Sequence, residues 1–197
     1  DGVAVSSVVP PLDPVLAEMV REYFGHEALF VSADTDTGLK ILYENPQEVG
    51  ADRIVNAAAT YHYYGGPCVV VDLGTAITFD VVSARAEYLG GLICPGIGMA
   101  VTGLFARTAK LPLVDLRRPA RLIGTTTVGS MRAGLYYGFA SMIEGILERL
   151  GEEMGTSIKV VATGGQAKLI AEGCRGIDHV DDNLTLEGLR LIWERNR

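Results

Sequence analysis

A mixed α/β fold is what this sequence predicts, on three observations. Short apolar runs bounded by turn residues recur at 68–71, 77–83 and 87–93, as a strand meander requires. The stretch 127–150 instead carries Leu135, Phe139, Met142, Ile143, Ile146 and Leu150 at a 3.6-residue period, the mark of a long amphipathic helix. The 197 residues are 48% hydrophobic and 21% charged, which suits one large core or two modest ones and excludes a disordered chain.

The elements follow in order. Residues 3–9 read as a strand, opened by Asp1-Gly2 with no preceding turn and no start methionine, so the sequence reads as a fragment or as a chain cut inside a domain. Pro10-Pro11 and Asp13-Pro14 mark a turn and a helix start, with Leu16, Met19, Val20 and Phe24 on one face and Gly25 as the stop. A short strand spans 28–31, and the turn-rich residues 32–50 are expected to be loop. A helix over 51–64 ends at Gly65-Gly66-Pro67. After the meander, Pro95-Gly96 precedes a helix over 99–108, and Pro112, Pro119 and Gly124 punctuate an irregular connection. Beyond the long helix come a buried strand over 158–162, a short helix, a strand near 177–180 and a last helix from Thr185, with Asp182 or Asn183 as its cap.

A formal net charge of -7 gives no basic footprint for nucleic acid. No apolar run reaches the ~18 residues of a membrane span, so no span is expected, and no signal peptide is expected either. Cys68, Cys94 and Cys174 are isolated in sequence, which argues against a zinc site and for reduced, mostly buried thiols in a cytoplasmic protein. His26, His62 and His179 lack metal or triad spacing and suit surface or packing roles. Gly96-Ile97-Gly98 with Gly103 is a poor dinucleotide loop, with its third glycine misplaced and Pro95 intruding.

Three segments could carry chemistry. In Val71-Asp72-Leu73-Gly74-Thr75 an apolar strand delivers a carboxylate to its carboxyl end, where open α/β sheets bind ligands. Gly74 lets backbone N–H groups approach an anion, and Thr75 and Thr78 offer hydroxyls; the alternative is a turn in which Asp72 caps local amides. Gly50-Ala51-Asp52-Arg53 opens a helix, where the dipole favours anions. Asp52 fits a cap or first-turn acid, or a proton acceptor beside a guanidinium that holds a carboxylate, with Tyr43 as a phenol for the same pocket or as packing. Thr163-Gly164-Gly165 after a buried strand suits a flat ligand against bare backbone, or a tight turn.

Taken in order, Asn45-Pro46-Gln47-Glu48-Val49-Gly50-Ala51-Asp52-Arg53, Val71 through Asp80, Tyr88-Leu89-Gly90-Gly91, Pro95-Gly96 and Leu184-Thr185-Leu186-Glu187-Gly188-Leu189 closely resemble the type III pantothenate kinase family along essentially the whole chain. The resemblance implies ATP-dependent phosphorylation of pantothenate, the first step of coenzyme A synthesis. It also implies an acetate and sugar kinase/Hsp70/actin-type fold of two ribonuclease H-like lobes. Residues 1–64 would be the remainder of an incomplete N-terminal lobe and 65–197 the C-terminal lobe, with the terminal helix able to pack across both. Family members are cytoplasmic homodimers that use ATP, Mg²⁺ and a monovalent cation, K⁺ or NH₄⁺; the long helix over 127–150 is a candidate dimer surface, the alternative being that its apolar face is spent entirely on the core.

Carried over by position, Asp52 matches the proton acceptor, and Tyr43, Gly50, Ala51, Asp52, Arg53 and Thr127 match the pantothenate site. Asp72 matches the monovalent-cation ligand and Thr75 the ATP contact, with Gly74, Gly164 and Gly165 beside the nucleotide. Two departures stand out. The family's Asp-x-Gly-Asn-Thr phosphate loop has no counterpart here and is expected upstream of Asp1, so the 197-residue chain alone is expected to be inactive. Thr125-Thr126 stands where a basic residue and asparagine are usual. The competing readings are a non-catalytic regulatory relative, of the kind described as transcription accessory factors, and a sugar or acetate kinase of the same superfold. The Asp52, Asp72 and Thr75 set speaks against the first and Gly-Ala-Asp-Arg against the second.

Overall fold

The protein is described here from a computed structural model covering residues 1–108 and 110–197. The chain opens with a β-α-β unit: β1 (Val3–Val5) and β2 (Ala28–Phe30) pair in parallel, Val3 opposite Ala28, across α1 (Asp13–Phe24). Pro14 lies in the first turn of α1, and Gly25 closes it at φ 67°, a left-handed conformation that glycine adopts without strain. The apolar face expected on α1 is only partly used. Val20 is buried, whereas Met19 and Phe24 are exposed.

The segment 32–50, expected to be loop, contains a two-residue strand, β3 (Lys40–Ile41). Next come α2 (Ala51–Tyr64), β4 (Cys68–Leu73), β5 (Ala76–Val82), β6 (Glu87–Pro95) and α3 (Ile97–Ala106). The rest is α4 (Thr127–Met154), β7 (Lys159–Thr163), α5 (Ala167–Ala171), β8 (His179–Val180) and α6 (Leu184–Arg195). A six-stranded sheet has the order β3-β6-β5-β4-β7-β8, so the meander forms its middle. β3 exists by adding to the edge of β6 in parallel, with Lys40 opposite Glu87 and Ile41 opposite Tyr88.

Two compact units divide the chain, one of residues 1–70, 80–91 and 183–197, the other of Val71–Phe79 and Leu92–Asp182. In the first, Ile54, Val55, Ala57 and Ala58 of α2 pack with Val31, Val49, Cys68, Val82, Tyr88 and Ile192. The alanines let α6 approach α2 closely. A Cβ at Gly188 would stand 2.5 Å from the Val55 carbonyl oxygen, and Thr185 Oγ1 donates to Asn56 Oδ1 at 2.6 Å beside it. Asn183 occupies the cap position of α6 without a side-chain capping bond, so sequence preference alone overstates that cap.

In the second unit, α4 begins at Thr126, whose hydroxyl accepts from the Gly129 N–H at 3.0 Å, and ends at Gly155 with φ 63°. Its buried stripe runs through Tyr136, Ala140, Ile143 and Leu147, while the expected Phe139, Met142, Ile146 and Leu150 flank it half-buried. Small Ala140 lets the helix sit down on that side, and Tyr136 and Ile143 fill the seam beside it. All three cysteines are free thiols; Cys68 and Cys174 are buried and Cys94 is half-buried. Among the described residues, no helix is long and apolar enough to cross a membrane.

Candidate active site

Of the residues singled out in the sequence, Tyr43 and Gly50 to Arg53 fall in the first unit. Asp72, Gly74, Thr75, Thr127, Gly164 and Gly165 fall in the second.

The first group is built on the start of α2. Gly50 is the residue before the helix, and its carbonyl accepts from the N–H groups of Arg53 and Ile54 at 3.1 and 3.2 Å. Asp52 is therefore a first-turn acid rather than the cap. Its Oδ1 accepts the Arg53 backbone N–H at 2.8 Å, so that donor is shared between the Asp52 carboxylate and the Gly50 carbonyl. The carboxylate folds back over Gly50, where a Cβ would meet Oδ1 at 2.6 Å, so only glycine leaves it that position. Asp52 remains half-buried.

Arg53 turns inward. The residue is 8% exposed, and its Nε donates to Asp80 Oδ1 at 2.8 Å. The same oxygen accepts the Tyr88 hydroxyl at 2.7 Å, and Asp80 and Tyr88 are both fully buried. Arg53 Nη2 is buried without a hydrogen-bond partner. Burial works against the charge on Arg53, but the Asp80 carboxylate together with the Tyr88 and Tyr43 phenols outweighs it, and the guanidinium's pKa is raised. Burial first, then the Asp80 charge, drives the Tyr88 phenol strongly upward, so it stays a proton donor.

Tyr43 reaches this cluster because β3 pairs with β6: the Leu42 N–H bonds the Tyr88 carbonyl at 2.9 Å, and the next residue lays its ring beside Tyr88, centroids 6.4 Å apart. The ring also covers Gly90, which has φ 114° and whose missing Cβ would lie 3.3 Å from Tyr43 Cε2. Asp80 and Tyr88 lie within sequence motifs whose spacing assigns them no role. The signal was there: an aspartate in the apolar strand Ile77 to Val82 cannot be buried without partners.

The second group is gathered by glycines. Asp72 and Leu73 end β4, and the end of β7 passes so close that a Cβ at Gly164, with φ 93°, would lie 2.6 Å from Asp72 Oδ1 and 2.8 Å from the Leu73 carbonyl oxygen. Gly74 gives the same carboxylate room at 3.3 Å. Gly96, at the head of α3, presses on the turn from the other direction, its missing Cβ 1.9 Å from the Thr75 carbonyl oxygen. An open groove of about 590 Å³ runs between Gly74-Thr75 and Gly98, Met99, Thr102, Gly103 and Ala106 of α3. Gly165 is exposed beside Gly164.

Thr127 is exposed as the first residue of α4, next to a cavity of about 340 Å³ lined by Arg117, Arg118, Arg121 and Arg132. Thr126, standing where asparagine is usual, still supplies the side-chain oxygen that caps this helix. Among the described residues, no three acidic, histidine or cysteine side chains converge as a metal cluster.

The model of a family described as type III pantothenate kinase matches residues 1–149. Proteins of that name are similar along the chain: one from Koribacter versatilis is 56% identical over 196 residues, covering 100% of this chain and 72% of the relative. One from Solibacter usitatus is 57% identical, with 100% and 75% covered, and one from Moorella thermoacetica 56%, with 99% and 77%. A solved Campylobacter jejuni structure, described as a Baf family transcriptional activator, superposes with a TM-score of 0.66 over 100% of this chain and 83% of its own. At 23% identity that likeness speaks to the fold alone.

Proposed function

The chain belongs to the type III pantothenate kinase family, and from that premise we propose that it phosphorylates the primary hydroxyl of pantothenate with ATP, with Asp52 as proton acceptor. The observation that carries this reading is the start of α2, where a half-buried carboxylate is held through one oxygen at a helix N-terminus, next in sequence to a guanidinium with an uncommitted donor.

In the proposed step the hydroxyl oxygen attacks the γ-phosphorus in line, its proton passes to Asp52, and the bond to the β,γ-bridging oxygen breaks to release ADP. Such a reaction asks the protein for positioning and charge balance rather than covalent chemistry. Arg53 would hold the substrate carboxylate, and its Nη2, buried without a partner, supports that role because a buried orphan donor costs about 1–3 kcal/mol. Tyr43, Gly50 and Ala51 would complete the pantothenate pocket, with Thr127 as a further contact. Thr75 and Gly74 would meet ATP, and the groove along α3 suits part of a nucleotide; Gly164 and Gly165 would lie beside it.

Asp72 is the proposed ligand for a monovalent cation, K⁺ or NH₄⁺. The residues fit such an ion, since a carboxylate oxygen and the Leu73 carbonyl both crowd the side-chain-free face of Gly164, and bound there it would offset phosphate charge. Mg²⁺ would be held mainly by the nucleotide's phosphates and water. The proposed architecture is a pair of ribonuclease H-like lobes. A homodimer is proposed as the assembly, supported by exposed Met99, Phe105, Leu122 and Ile123, and light scattering in solution tests it.

The direct test of the function incubates the intact protein with pantothenate, MgATP and K⁺ and follows 4'-phosphopantothenate by mass spectrometry. Pantothenate-dependent product is expected; ADP formation without phosphorylated pantothenate would refute the reading.

A further inference from the structure

Asp80 is a full charge in the middle of β5, 0% exposed, on a strand whose neighbours are Ile77, Phe79, Val81 and Val82. Burying such a carboxylate against an arginine is a poor way to gain stability, since desolvating both ions consumes most of their attraction and an apolar pair of similar volume is often as stable. What the arrangement does supply is orientation. Asp80 takes Arg53 through Nε and leaves Nη2 without a partner, so the guanidinium is held without exhausting its donors. Asp80 is in turn fixed, because the same Oδ1 accepts the Tyr88 hydroxyl. Tyr88 is locked by the pairing of β6 with β3, which also brings Tyr43 to the cluster.

We propose that Asp80 and Tyr88 are the positioning residues of the pantothenate pocket: through Nε they hold the Arg53 guanidinium in the pose that receives the substrate's carboxylate. This rests on the reading of Arg53 as the carboxylate anchor. Neither residue touches substrate. Without Asp80 the guanidinium can rotate about its last side-chain torsions; without the Tyr88 hydroxyl, Asp80 loses one of the donors that fix it.

The test compares the intact wild-type enzyme with Asp80→Asn, Tyr88→Phe and Arg53→Gln, on pantothenate and on its primary amide, which lacks the charge. Asp80→Asn should raise the KM for pantothenate by about tenfold or more, the scale of one lost charge-assisted contact, and Tyr88→Phe by about threefold, because it removes only one of the donors that fix Asp80 and leaves the Arg53 contact in place. KM for ATP should stay within about twofold, and the preference for acid over amide should fall by the same factor as KM rises. A merely structural ion pair would reduce the active fraction without changing that preference.

Arg53→Gln separates the two layers of the argument. If it destroys acid preference while folded Asp80→Asn and Tyr88→Phe keep wild-type preference, the positioning role is wrong and the anchor stands. If Arg53→Gln also leaves the preference intact, the anchor reading fails and the proposal with it. Should Asp80→Asn not fold, Tyr88→Phe, which keeps the ring and removes one hydrogen bond, decides alone.

Discussion

Asp52 Oδ1 fills the space in which a side chain on residue 50 would begin, 2.6 Å from an ideal Cβ at Gly50. Glycine there sets where the acid sits, not how the helix forms, since φ is an ordinary -57°. Gly50→Ala should therefore leave the fold in place and push the carboxylate aside. A displacement near 1 Å at a reacting group can reduce turnover about 100-fold, so kcat should fall on that scale with little change in melting temperature. Wild-type kcat in a folded Gly50→Ala protein would break the link between this contact and catalysis.

Gly164→Ala combines two faults: φ is 93°, and the new methyl would lie 2.6 Å from Asp72 Oδ1. The backbone strain alone is of order 1–3 kcal/mol. The variant should unfold at lower denaturant concentration, and the K⁺ concentration needed for half-maximal activity should rise. Unchanged K⁺ activation would remove Asp72 and its surroundings from the cation site.

Gly90 has the same logic at the other group. With φ 114° and Tyr43 Cε2 3.3 Å from the missing Cβ, Gly90→Ala should shift the Tyr43 ring and raise KM for pantothenate several-fold, by about 1 kcal/mol of lost binding. Tyr43→Ala should raise it by a similar factor. An effect of Gly90→Ala on the KM for ATP alone would contradict the placement of Tyr43 in the pantothenate pocket.

Much of this was legible from residues alone, for identifiable reasons. Helix α2 begins and ends where glycines flank a run of alanines and β-branched residues, so its bounds were readable. β3 was not, because two residues carry no periodicity and the strand exists only through the edge that β6 offers it. Asp72 was legible as an acid at a strand end, but its meeting with Gly164 depends on β4 and β7 being neighbours, which no local pattern encodes. Arg53 was read as a substrate-facing cation. That its guanidinium is tied to Asp80 depends on α2 packing against β5, a tertiary contact.

Alkaline pH offers a separate check on the core. Burial pushes the Cys68 thiol from 9.0 up to about 12, so between those values the unfolded chain loses a proton that the folded one keeps. Stability should be unaffected by this group below about pH 9 and should fall as pH rises toward 12. Urea unfolding at pH 8 and pH 10.5 should show a smaller pH-dependent loss in Cys68→Ala than in wild type, although the variant is less stable at both. Some loss should persist, since burial also raises the pKa values of Cys174 and Tyr88. Equal losses in wild type and variant would mean the thiol is not sealed from water.

The most direct measurement is turnover by Asp52→Asn in the intact protein, alongside its binding of pantothenate and ATP. The asparagine carbonyl can still accept the Arg53 backbone N–H, so folding and binding should hold to within about 1 kcal/mol. Turnover should fall by about 10²- to 10⁴-fold, the usual range for removing a general base. A folded Asp52→Asn enzyme that phosphorylates pantothenate at the wild-type rate would contradict the account.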